Sequence, residues 1–279
     1  MAASTSTRDS ADRLVRYDRW TVTAVAVLAY IVANIAHESL GHGAGLLLAG
    51  GRSGILTTTR LIIPQQLPSP AWRWFDLGGP TGNLACAGVA WIGLRMTATV
   101  RAGLRLLCFL AMAFSLYWAF GYMLFSGVTG RGDWLALLPE GSWAGRGALA
   151  VVGLSLYLAT NRFAARELSR MLDCSSVTRK EVSRMMNVVW LAGGIIATAG
   201  AALDPRGSME MLNSGALSGL AGAIGLLQIS AIIGRYQLSD PQGTGGPFVL
   251  ERSTGWIVAA AAASLLFIGV LGRGIPWRL

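Results

Sequence analysis

The chain has only two histidines, and they stand five residues apart in His37-Glu38-Ser39-Leu40-Gly41-His42. Two imidazoles with a carboxylate between them are the equipment of a zinc hydrolase: the rings hold the metal and the acid acts as base. The segment lies inside an apolar run from Trp20 to Ala49. An ionisable cluster within such a run is costly to bury, which marks it as a functional site.

The spacing makes a structural demand. The common zinc motif sets its histidines four residues apart, about 400° around a helix, so both share one face. Five residues leave His37 and His42 about 140° apart on a regular helix. One π-turn absorbs the extra residue and returns His42 to the face of His37. The helix is therefore predicted to widen around Ser39 to Gly41, where Gly41, Gly43 and Gly45 leave the backbone permissive. In an unwidened helix, Glu38 and His42 would share a face and hydrogen-bond.

Zinc (Zn2+) in a catalytic site takes a third protein ligand. No histidine remains, and Cys86, Cys108 and Cys174 have no metal or disulfide spacing, so they read as small apolar fillers. An aspartate is expected, and the candidates are Asp76, Asp133, Asp173, Asp204 and Asp240. Asp133 follows the glycine-rich break Gly127-Val128-Thr129-Gly130-Arg131-Gly132, where a broken helix can turn a carboxylate inward. Asp204, before Pro205, is the second choice.

These residues need elements to carry them. Of 279 residues, 53% are hydrophobic and 13% charged, with mean hydropathy +0.51. Soluble domains carry about 25% charge. The expected fold is an all-α polytopic membrane protein, a bundle of six to seven transmembrane helices with a short irregular or β-like stretch after the first. Residues 1–19 read as a disordered tail, 20–140 as a metallopeptidase-like core and 141–279 as additional membrane helices. Within the core, 55–63 alternates like an edge strand or hairpin, a second span starts at Gly78, and a third covers Leu104 to Phe125. A fourth runs from Gly147 to Thr160, then an interfacial basic helix from Arg162 to Arg184. Three more centre near Ala197, Gly222 and Ala261.

The net charge of +9 does not indicate nucleic acid, because the basic residues flank the spans. Counted over seven spans, 15 basic residues fall on one side and 8 on the other, which puts the N-terminus in the cytoplasm. The expected setting is the bacterial plasma membrane.

Three blocks resemble the site-2-protease family of intramembrane zinc metallopeptidases. They are His37 to Ala44 with Gly50-Gly51, Gly79-Pro80-Thr81-Gly82-Asn83-Leu84, and Gly132-Asp133-Trp134, in the place of that family's Asp-Gly metal motif. The resemblance implies His37, His42 and Asp133 as zinc ligands and Glu38 as catalytic base, with Asn83 and Pro80 at the substrate. The partner would be a membrane-embedded protein or peptide, cut by metal-activated water. This chain departs from the family in the extra residue between the histidines and in Trp134, where a glycine is usual. A noncatalytic scaffold and an ion-binding transporter are the other readings. A serine protease built on Ser214 or Ser218 is excluded, since no histidine follows position 42 to serve as base.

Overall fold

A computed structural model describes residues 15–64, 67–96, 101–172, 178–204, 207, 209–237 and 248–278. Most of the expected tail, Cys174, Asp173 and Asp240 lie outside them. Residues 15–17 are not tail: Val15–Tyr17 forms strand β1. Asp18 then caps helix α1 (Arg19–Ile35) by accepting from the Thr21 amide at 2.9 Å.

Helix α1 does not end at Ile35. It passes through a π-turn, Ala36–Gly41, into α2 (His42–Leu48), giving one continuous helix from Arg19 to Leu48. Gly50, at φ 82°, stops it, a conformation that glycine adopts without strain. The chain reverses through β2 (Ser53–Leu56) and β3 (Leu61–Ile62), the hairpin expected at 55–63. The free side of β2 pairs with β5 (Ile275–Arg278), so the sheet runs β3-β2-β5.

Helix α3 spans Ser69–Met96, so the second span begins nine residues before the expected Gly78. Trp72, Trp74 and Phe75 belong to this helix, and Pro80 lies in its interior. Pro80 has no amide hydrogen to return to the Asp76 carbonyl, four residues back. Helix α4 covers Ala102–Thr129 and stops at left-handed Gly130. A 3-10 turn (Asp133–Leu137) leads to α5, Trp143–Leu172.

No separate interfacial helix follows α5. It carries Arg162, Arg166 and Arg170 on its own last turns, and α6 starts afresh at Arg179 behind a Thr178–Glu181 capping box. The reason is Glu167, buried in α5 and bridged by Arg95 at 2.8 Å and Arg170 at 3.0 Å. A paired acid does not break a membrane helix.

Helix α6 ends at Ala201. Helix α7 (Met209–Ala216) runs through a second π-turn, Leu217–Ala221, toward α8 (Gly225–Ile232) and the short α9 (Gly234–Gln237). Strand β4 (Phe248–Leu250) pairs in parallel with β1, and α10 (Thr254–Leu266) ends in a third π-turn, Phe267–Leu271. Six of these helical segments are long and apolar enough to cross a membrane, which makes this a multi-pass membrane protein. The 28-residue α3 is more polar and is not among the six, though it packs between α2 and α4.

A large core runs through the bundle, and a smaller one of Leu46, Leu61, Leu67 and Phe75 lies between α2, the hairpin and α3. Tyr30 of α1 takes edge-on contacts from Phe114 at 5.7 Å, Trp118 at 5.3 Å and Phe267 at 6.5 Å. Helices beyond residue 140 contribute to the same large core as the first half. Large apolar side chains such as Val89, Ile195 and Leu265 point outward, as lipid-facing positions do.

Candidate metal centre

The π-turn does what the five-residue spacing required. The His42 amide donates to the His37 carbonyl, an i to i+5 bond, and the two rings meet edge-on with centroids 4.9 Å apart. Both histidines and Glu38 are buried, at 6–7% exposure.

Asp133 arrives from the far end of α4. Gly130 and Gly132 take φ of 68° and 106°, so the reversal needs glycine at both places. Trp134 then pins the turn by donating from its indole to the Ala119 carbonyl at 2.9 Å. Oδ2 of Asp133 lies 3.2 Å from Nε2 of His37 and 3.3 Å from Nε2 of His42. Asp204 is elsewhere: its carboxylate accepts from the Thr59 hydroxyl at 3.1 Å and ties the hairpin to the end of α6. The choice between Asp133 and Asp204 falls to Asp133.

The outer nitrogens of both rings are engaged. Asn83, wholly buried, donates from Nδ2 to the Ala33 carbonyl at 2.9 Å. That bond turns its Oδ1 to Nδ1 of His37, at 2.7 Å, so this Nδ1 carries the hydrogen. Nδ1 of His42 likewise donates to the Phe75 carbonyl, at 2.8 Å. With Nδ1 donating, each ring in its neutral form, the form that ligates a metal, presents the Nε2 lone pair to Asp133.

Lone pairs facing a carboxylate oxygen are repulsive unless a cation lies among them. Among the described residues Oδ2 of Asp133 has no partner of hydrogen-bond geometry, although both Nε2 atoms are within ion-pair distance. Tetrahedral zinc with bonds of about 2.0–2.1 Å sets its ligand atoms about 3.3 Å apart. The two nitrogen–oxygen separations match that edge. The three side chains form a group able to hold a metal ion.

Gly79 completes the cradle. A Cβ built on it would lie 2.6 Å from Nε2 of His42 and 2.7 Å from Nε2 of His37, so a side chain there would crowd the ligand atoms. The neighbouring Gly78 and Gly82 have another task. They let α3 lie backbone to backbone against Gly41 and Ala36 of the metal helix. Through Gly78 and Gly82 this glycine-rich stretch brings two helices into close contact. Asn83, expected at the substrate, has both ends of its amide occupied by the metal helix.

Sequence reasoning missed the Phe75 carbonyl and the aromatic wall of α4, where Trp118 and Tyr122 stand 5.7 and 6.0 Å from the His37 ring. The four-residue spacing of Trp118 and Tyr122 was a visible sign of one helix face. Nothing local marks a backbone carbonyl. Compared with known proteins, the chain matches no family model, no curated protein and no solved structure.

Proposed function

We propose that this protein is an intramembrane zinc metallopeptidase that hydrolyses peptide bonds of membrane-anchored proteins. The observation that carries this reading is the convergence of His37, His42 and Asp133 beside the buried acid Glu38. Oε2 of Glu38 is enclosed and has no hydrogen-bond partner among the described residues.

His37, His42 and Asp133 would hold the ion, with Asn83 and the Phe75 carbonyl fixing the two rings. When bound, zinc supplies Lewis acidity, acidifying water and polarising a carbonyl. Glu38 accepts a proton at its carboxylate and returns it to the leaving nitrogen. Gly79 keeps the space beside the ligand atoms clear. The hairpin is tied to the metal helix by Asn34, which donates to the Thr58 carbonyl at 2.9 Å. A sheet so placed can pair with a substrate segment once it unwinds into extended form. The resemblance to site-2 proteases supports the same assignment.

The test is purified protein in detergent or vesicles, with zinc content and cleavage of a membrane-anchored test peptide read together. Wild type should carry stoichiometric zinc and cut the peptide. Glu38→Gln should keep the metal and lose about 10²–10⁴-fold in rate. Wild-type protein that binds metal and cuts no membrane-anchored peptide would leave the noncatalytic reading in place.

A further inference from the structure

We infer that the metal centre lies at the extracytoplasmic face of the membrane, so the bonds within its reach are those at the outer boundary of membrane-anchored proteins. The sidedness stands on charge and helix length. Only the identity of what is cut rests on the reading above.

Hydrogen bonds sort the helix ends into two groups. At one end, Asp18 donates its amide to the Leu250 carbonyl at 2.8 Å and Ser253 donates its amide to the Thr21 hydroxyl at 3.0 Å, which joins the starts of α1 and α10. Tyr17 donates its hydroxyl to the Glu181 carbonyl at 3.3 Å, adding the start of α6. The Arg95–Glu167–Arg170 cluster gathers the ends of α3 and α5. At the other end, the metal ligands meet the hairpin, and Thr59 bonds Asp204 beyond the end of α6. Arg146 near the start of α5 donates to the Val128 carbonyl at 2.9 Å.

Basic residues divide unevenly between these ends. Among the described residues, thirteen Arg and Lys lie at the first end, in four segments: 16–19, 95–105, 162–184 and 235–252. Seven lie at the metal end. Every connection is short, the condition under which such an excess fixes orientation, and the richer side stays in the cytoplasm.

Helix length places the site. His37 follows Arg19 by eighteen residues. At 1.5 Å per residue that is about 27 Å, nearly the full ~30 Å of a hydrocarbon core. A second mark agrees. Trp74 and Trp143 are 60% and 77% exposed at the metal end, as tryptophans at a headgroup boundary are. The Trp74 carbonyl abuts Gly45, which is three residues beyond His42, so the ligands lie within about one turn of that boundary.

Single cysteines test the assignment in a Cys86→Ala, Cys108→Ala, Cys174→Ala background. Glu140→Cys reports the metal end and Lys180→Cys the basic end; both positions are exposed. A membrane-impermeant maleimide applied to intact bacterial spheroplasts should label Glu140→Cys and reach Lys180→Cys only after permeabilisation. The reverse pattern, or equal labelling of both, overturns the inference. Should the cysteine-free chain fail to accumulate, alkaline phosphatase fused after Leu279 gives the same answer. Strand β5 pairs with β2 at the metal end, so that fusion should be active, and an inactive fusion at normal abundance overturns the inference. Neither readout requires proteolysis. Correct labelling without peptide cleavage would count against the enzyme and leave the sidedness standing.

Discussion

The π-turns at Ala36–Gly41 and Leu217–Ala221 are the same backbone device put to different ends. Each widens a membrane helix, and each is closed by an i to i+5 bond, His42 to His37 in the first and Gly222 to Leu217 in the second. In the first, the widening turns two imidazoles to one point, where a distant aspartate joins them. In the second there is no ionisable side chain. There the carbonyls of Ser218, Leu220 and Gly222 accept from Trp118 at 3.0 Å, Trp190 at 2.8 Å and Tyr157 at 3.2 Å, three side chains from three other helices. One turn brings ligands together, and the other offers carbonyls as helix-to-helix ties. A π-turn alone therefore does not mark a reactive site. The residues placed on it decide.

This contrast predicts that damage near the first turn empties the site, whereas damage near the second weakens the bundle. The largest effect is expected for Gly79→Ala. Its Cβ would meet both Nε2 atoms at 2.6–2.7 Å, closer than van der Waals contact, and the ligand helix is held at both ring edges. Zinc content of the purified variant should fall to background while its far-ultraviolet circular dichroism stays helical. Retained zinc would show that the metal is bound away from this cradle.

Asn83→Ala comes next. It removes the acceptor that holds Nδ1 of His37 and leaves that N–H buried and unpaired. Loss of such an orienting partner lowers metal affinity about 10–100-fold, measurable by competition with a chromogenic chelator. Asn83→Asp keeps an acceptor and should recover part of the loss.

The first turn was legible from sequence because its spacing was wrong for an ordinary helix, and two histidines in a membrane span have few other uses. Asp133 was legible from the glycine break before it. The second turn was not, because Ser214 to Ala221 offers only small and apolar residues whose π-widening leaves no spacing clue. Gly215 and Gly219 allow a close approach to Ala197 and its neighbours in α6. The early start of α3 was hidden by Pro68, Pro70, Arg73 and Asp76, which read as loop. The length of α5 was hidden by Glu167, whose two arginine partners come together only in the folded bundle. Strand β5 was hidden because it pairs with β2, more than two hundred residues away, and two- and four-residue strands carry almost no periodicity.

At the second turn, Gly219→Ala should act on stability alone. Its Cβ would sit 2.6 Å from the Ala197 Cβ and 3.0 Å from the Gly194 Cα, an overpacked contact between α6 and the turn. Such insertions cost about 1–3 kcal/mol. Thermal unfolding in detergent should shift downward while zinc per folded molecule stays unchanged. Zinc loss in this variant would mean that the two turns are coupled through α1 and α6 and that the division drawn between them is wrong.

The smallest effect is expected for Trp190→Phe, which keeps an aromatic ring in α6 but deletes the donor to the Leu220 carbonyl. A single hydrogen bond of this kind contributes about 0.5–1.5 kcal/mol. Within a membrane the abandoned carbonyl has no water to turn to, which favours the upper part of that range. Two neighbours limit the damage, since Trp118 and Tyr157 still hold the carbonyls on either side. If the three ties work independently, Trp190→Phe and Trp118→Phe should add in unfolding free energy. Trp118 also stands against His37, so only its variant should touch metal affinity as well. A double mutant that costs clearly more than the sum would show that the second turn is held as a unit, each aromatic donor keeping the others' carbonyls in place.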